Sequence, residues 1–286
     1  MTIRLLLVPM LSLTMFYPAA GQKTVPSPQQ TMLSYADVAD LALPSPIVAE
    51  VKIRKAERLK AELAGDVVTS KRRYLVTADL VALIRGAGGL APRISYVVDQ
   101  ASDAQGRWPK LEKMKMLVFA LPVANRPATI RLVAPDAQQP ATPGLSALVR
   151  KLLNEAGLPS APPRIVGIGE AFHVEGAVSG EGETQIFLKA ADGSPLSLSV
   201  WRRPDALAKW AVSVGEIVDE GAEPPARDTL LWYRLACFLP PRLPATSAET
   251  LSEADAAIAS EDYATVIARL GPCRRTRDRQ NPGRNS

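Results

Sequence analysis

The sequence predicts an α+β, β-rich fold: a five-stranded barrel-like first part, then an antiparallel meander packed with C-terminal helices. Three observations predict it. Five strand-length segments, each bounded by Gly, Pro, Asp or Asn, fall between residues 46 and 134, the spacing of a small closed or partly closed barrel. A hairpin pattern turning at Asp192-Gly193 lies in the second half. Beyond it, 226–239 is apolar nearly all round and 250–271 carries helical spacing.

The elements follow in order. Arg4, the apolar run Leu5–Tyr17 and then Pro18-Ala19-Ala20-Gly21 make a basic n-region, an h-region and a small-residue cleavage site. Residues 1–21 are therefore expected to be a signal peptide, and the mature chain to be periplasmic or secreted. The run is too short, and too interrupted by Pro9 and Pro18, to suit a membrane span, and no later segment is apolar enough for one. A helix over 34–43 is expected, capped by Ser34, with Val38 and Leu41 on its inner face and Pro44 at its stop. Strands follow at 47–53, 73–84, 93–98, 113–121 and 129–133, completing a β-barrel-like domain over 34–134. The Pro-rich stretch 135–144 reads as a linker. Thr142 and Pro143 then open a helix whose stripe is Leu145, Leu148, Val149, Leu152 and Leu153, ending at Gly157.

In the second domain, 145–273, strands are expected at 164–176, 184–200 as a hairpin, and 209–218. Leu196, Leu198 and Val200 should face in and Ser197 and Ser199 out. The helix 226–239 should lie against this meander. The segment 250–271 is expected as one broken or two short helices with Ser260 as an internal cap. Residues 274–286 hold five arginines against Asp278 and read as a disordered basic tail.

Composition excludes some partners. Hydrophobic residues at 47% and charged residues at 22% are a globular balance. The net charge of +5 comes from Arg4 and the tail, since 22–273 holds 28 basic and 28 acidic residues. A neutral body is not the basic face of a specific nucleic-acid binder. Lys52, Arg54 and Lys55 would suit a polyanion, but Glu50, Glu57 and Glu62 interleave with them, as on a solvated sheet face. The other expected partner is another envelope protein. Two cysteines in an exported chain, Cys237 and Cys273, are expected to form one disulfide. A reactive thiol would need a base nearby, and neither has one in sequence.

Chemistry centres on "GEAFHVEGAVSGEGET", which carries the only histidine, His173, among Glu170, Glu175, Glu181 and Glu183. With Phe172 and Val174 on one side of a strand, His173 and Glu175 fall on the other, polar side. The candidates for acid–base work are His173, Glu175 and Ser179, yet "GAVSG" is not a nucleophile elbow. No catalytic residue is assigned, and His173 is expected beside a turn, facing solvent. One histidine and two distant cysteines make no zinc set, and no phosphate loop or dinucleotide fingerprint occurs. No cofactor and no metal site is assigned.

Two resemblances add to this. "SPIVAEVKI", "RYLVTADLVALIRG" and "KLEKMKMLVFAL" resemble the strand pattern of the oligonucleotide/oligosaccharide-binding (OB) fold and, more loosely, its exported netrin-like branch. The zinc-chelating N-terminal cysteine of that branch's inhibitors has no counterpart, so inhibition is not implied. Over about 34–273, "YADVADLA", "GEGETQIFL", "SLSVWRRP", "RDTLLWYRLACFLPP" and "LGPC" resemble a family of uncharacterised exported bacterial proteins. That resemblance implies the same architecture and no activity. The expectation is a non-catalytic binding or envelope-associated module. The alternative is a hydrolase-type enzyme working through His173 and its neighbouring glutamates.

Overall fold

The computed structural model describes residues 33–65, 67, 70–103, 105–215 and 223–277; the leader expected at 1–21 lies outside them. Helices are α1 (Tyr35–Ala42), α2 (Ala61–Ala64), α3 (Pro143–Ala156), α4 (Leu230–Ala236) and α5 (Glu253–Leu270). Strands are β1 (Ile47–Arg58), β2 (Lys71–Arg85), β3 (Arg93–Ala101), β4 (Lys115–Pro122), β5 (Ile130–Leu132), β6 (Gln138–Pro140), β7 (Ile165–Glu175), β8 (Gly182–Ala190), β9 (Leu196–Arg202) and β10 (Lys209–Val214). The fold is thus α+β, built on two sheets whose ladders are antiparallel.

The first sheet runs β3-β2-β1-β4-β5, with β6 also on β4. β6 falls inside the stretch expected as a linker, where Gln138 and Gln139 pair with Val118 and Leu117. Both edges of β4 are thus paired, by β1 on one side and by β5 and β6 on the other, and Met116–Ala120 are all buried. The expected five-stranded barrel does not close. β3 meets the residues flanking β5 through an isolated parallel bridge, Ser95–Thr129, and two main-chain bonds, Ser95 to Ala128 and Asp99 to Pro135. The chain takes seven residues from 128 to 135 while β3 takes four, so the two edges bow apart between those bonds. β1 and β2 outrun their expected ends. Buried alternation on β1 stops at Ile53, and its remainder pairs with β2 as a solvent-facing arm.

α1 is buried on nearly every side, not on one face. Ser34 caps it, and Asp37 closes the capping box by accepting from the Ser34 N–H at 2.9 Å. At its other end Arg85 donates to the carbonyls of Ala42, Leu43 and Ser45, a cation at a helix C-terminus. One continuous apolar cluster joins α1 and the first sheet to α3, α4, α5 and the second sheet.

The second sheet is the meander β10-β9-β8-β7. α4 is shorter than expected because Thr229, not a residue near 226, caps it. It packs on α1, α3 and α5 rather than on the meander. Its Trp232 indole donates to the Leu270 carbonyl at 2.8 Å, and the rings of Tyr35 and Trp232 meet edge to face. α5 is one unbroken helix. Ser260 does not cap it internally; its hydroxyl donates back to the Ala256 carbonyl four residues earlier. Cys237, at the end of α4, and Cys273, just past α5, form a disulfide with Cα atoms 5.1 Å apart. None of the described helices is long and apolar enough to cross a membrane.

Candidate functional site

The alternation of β7 places Phe172 and Val174 on one face and His173 on the other, as the sequence indicates. The faces are the reverse of the expected pair. Phe172 and Val174 face outward, 43% and 68% exposed, while His173 is half-buried on the face that receives α5. β7 and β8 are in register with His173 opposite Thr184, and β8 and β9 with Gly182 opposite Arg202. α5 lies across this face and lowers Asp262 into it.

The result is a continuous polar chain. Thr184 donates its hydroxyl to Asp262 Oδ2, Arg202 Nε donates to Oδ1 at 2.6 Å, and Arg202 also reaches Glu261 at 3.1 Å. His173 Nδ1 sits 2.9 Å from Thr184 Oγ1. A threonine hydroxyl has one proton, and here it goes to a carboxylate that can only accept. His173 Nδ1 is therefore the donor in its contact, and the lone pair of the neutral ring lies on Nε2. The ring lies against Gly182: a Cβ there would fall 2.8 Å from Cε1 and 3.1 Å from Nε2. Only glycine leaves room for the ring in this position.

Thr184 and Asp262 are fully buried. Asp262 satisfies the rule that an interior charge is paired and hydrogen-bonded, and the chain ties α5 to the sheet. It also fixes the orientation and tautomer of an imidazole, which is the positioning half of an acid–base site. The other half is not assembled. Glu170, Glu175 and Glu183 are exposed, and Glu183 pairs with Trp201 on the opposite face. Ser179 is exposed in the turn closed by the bonds of Gly176 to Glu181 and Glu181 to Val178. Among the described residues, no hydrogen bond joins His173 to Glu175 or Ser179, and no group of three or more His, Cys, Asp or Glu is placed to hold a metal.

Sequence reasoning missed Thr184, Arg202 and Asp262. Asp262 carried a signal, since it lies between Ala259 and Val266 on the apolar stripe of α5, where a lone carboxylate requires a partner.

A second feature is a groove of about 600 Å³ where β3 and β5 part. It is lined by Leu75, Val97, Leu121, Ile130 and Leu132, with Arg73, Asp99 and Arg131 supplying charge. The N–H groups of Ser95 and Asp99 point to the β5 side, so by strand alternation the N–H and C=O of Val97 point there too. Among the described residues, no ladder partner faces Val97 across the gap. Arg73 is engaged with Asp99 through Nε at 2.6 Å and a second nitrogen at 2.8 Å. On the β1–β2 arm, Arg54 pairs with Asp79 and Lys55 with Glu57, so much of the charge that would meet a polyanion is already matched.

No protein-family model matches the chain, and no curated protein matches it.

Proposed function

We propose that the chain is an exported, non-catalytic binding module of the cell envelope whose first sheet is an opened variant of the OB-like barrel. The observation that carries the reading is the groove between β3 and β5. Its size, its apolar lining, its few charges and the unpaired main chain at Val97 are the ingredients of a small-ligand site. A strand order of β3-β2-β1-β4-β5 with a parallel bridge from the β5 side to β3 supports the OB-like description. The disulfide supports an oxidising compartment, and the leader pattern supports export. An apolar ligand with one anionic group suits the lining and Arg131.

The test uses 1-anilinonaphthalene-8-sulfonate, which has that chemistry. The mature protein should bind one equivalent with a rise in fluorescence. Val97→Glu, at a position already 40% exposed, should abolish binding while leaving circular dichroism unchanged. Binding indifferent to this substitution removes the support for the groove. N-terminal sequencing of protein from the producing cell should begin near Gln22; a full-length product in the cytoplasm refutes export.

The fixed Nε2 lone pair of His173 favours one second reading, an acid–base enzyme. Under the binding reading, His173→Ala leaves ligand affinity and any turnover nearly unchanged. A loss of turnover on the order of a hundredfold or more, at unchanged stability, is the size expected for a general base and would transfer the assignment to the enzyme.

A further inference from the structure

We propose that the cleft between α1 and the β4–β5 side of the first sheet is a receptor for an extended Arg-x-Arg segment of a protein partner, and that the chain's own Arg275-Thr276-Arg277 fills it in cis. The proposal stands apart from the β3–β5 groove and does not rest on it.

The start of the segment expected to be disordered is docked; residues 278–286 lie outside the described residues. Its contacts divide into three readings of one peptide. Asp37 reads the main chain: its Oδ2 accepts the Thr276 N–H at 2.9 Å and its Oδ1 accepts the Arg277 N–H at 3.2 Å, with the Thr276 hydroxyl added at Oδ2. Asp40 reads the first guanidinium, taking Arg275 Nε at 2.5 Å and a second nitrogen at 3.4 Å. Asp136 reads the second, taking Arg277 at 2.8 Å. Three carboxylates from two distant parts of the fold are thus matched to a backbone and two cations spaced two residues apart. Such bidentate and charge-assisted bonds are the strong kind.

The arrangement exceeds what helix capping needs: Asp37 closes the capping box of α1 by accepting from the Ser34 N–H, and it accepts from Thr276 and Arg277 besides. The cleft also extends past Arg275 and Arg277. The cleft measures about 590 Å³, and Leu41, Pro44, Leu121, Val133 and Ala134 line it beside the two arginines. The tail continues as Asp278-Arg279-Gln280 and brings no apolar side chain of its own. A partner segment with an apolar residue after the second arginine would make the same polar contacts and bring apolar surface to this lining. The tail's advantage is its tether. Cys273, held by its disulfide to Cys237, lies two residues before Arg275, so the occupant is held at high effective concentration.

The probe is a fluorescein-labelled Gly-Arg-Thr-Arg-Leu-Gly peptide, read by anisotropy on the mature chain. Wild-type protein should bind it weakly, because the cis segment competes. The variant carrying R275A and R277A should bind at least about tenfold tighter, as expected when a tethered competitor is removed. Adding D136N to that variant should lose most of the gain, and Gly-Glu-Thr-Glu-Leu-Gly should not bind any of the three. No gain in the double variant, or a gain indifferent to Asp136→Asn, overturns the proposal, provided melting curves show both proteins folded. Should the double variant not fold, excess unlabelled peptide added to wild type should speed hydrogen exchange at the Thr276 and Arg277 amides; unchanged exchange overturns it equally.

Discussion

Removing the carboxylate of Asp262 tests whether the buried polar chain holds α5 to the second sheet. Asp262 has no exposed surface and bonds Thr184 and Arg202 together. Asp262→Ala deletes one partner of a buried ion pair, a change that costs about 3–5 kcal/mol when the remaining charge is fully enclosed. Arg202 is not fully enclosed: its side chain is 27% exposed and keeps Glu261, itself 70% exposed. That moves the electrostatic part toward about 2–3 kcal/mol, and the stranded Thr184 hydroxyl adds about 1 kcal/mol. The expected total, about 3–4 kcal/mol, is a large share of a typical folding free energy of about 5–15 kcal/mol. Urea unfolding under oxidising conditions should show the midpoint shift at an unchanged slope. Asp262→Asn should also destabilise, because one amide oxygen cannot serve both donors. A double replacement with R202M and D262L should recover part of the loss, since an apolar pair strands no charge. An Asp262→Ala protein within about 1 kcal/mol of wild type would refute the argument that this chain secures the helix.

Three further outcomes are expected. Because His173 is the only imidazole, its ring nitrogens need no assignment by mutation, and nitrogen NMR at neutral-to-alkaline pH should show the Nδ1-protonated tautomer; the opposite tautomer would break the hydrogen-bond order inferred through Thr184. Replacing Cys237 and Cys273 by Ser should cost about 4 kcal/mol for a separation of 36 residues in the chain-entropy treatment, and a loss below about 1 kcal/mol would mean the reduced chain keeps its ends together. Burial acts to raise the Asp37 pKa, but hydrogen bonds from Thr276 and Ser34 outweigh it and hold the carboxyl below its ordinary value. Its stabilising contribution is therefore complete above about pH 4 and lost as pH falls through the lowered pKa; Asp37→Asn should remove that acid-dependent increment, and an unchanged pH profile would contradict it.

What the sequence made legible was what local chemistry dictates. Thr142 and Pro143 opened α3 where expected, and Asp192-Gly193 turned the hairpin, with Gly193 at φ +76° and the Ser194 N–H on the Asp192 side chain. Two cysteines at helix ends met. Illegible were features decided by distant partners. β6 could not be read from "QQP", because what makes it a strand is β4 beside it. Closure failed for a reason no strand pattern encodes, the three surplus residues between two bonds to β3. The tail's ordered start depends on Asp37, Asp40 and Asp136, which lie more than a hundred residues away.

The face of His173 shows why period-two patterning alone chose wrongly. Polar-out alternation assumes that whatever covers a sheet is apolar. On the second sheet the cover is α5, whose inward stripe carries Asp262 between Ala259 and Val266. A buried carboxylate changes what its neighbours must be: the strands beneath have to offer donors, and Thr184 and Arg202 do so, with His173 extending the chain. At the end of β7 His173 is thereby drawn inward beside Ala171 while Phe172 and Val174 are turned out, leaving Phe172 and Phe187 to pack edge to face on the outer surface, 5.8 Å between centroids. The histidine's half-buried position is thus a consequence of Asp262, and of the helix that carries it, before it is a sign of chemistry. Any activity found at Nε2 would be built on a structural anchor that the fold already requires.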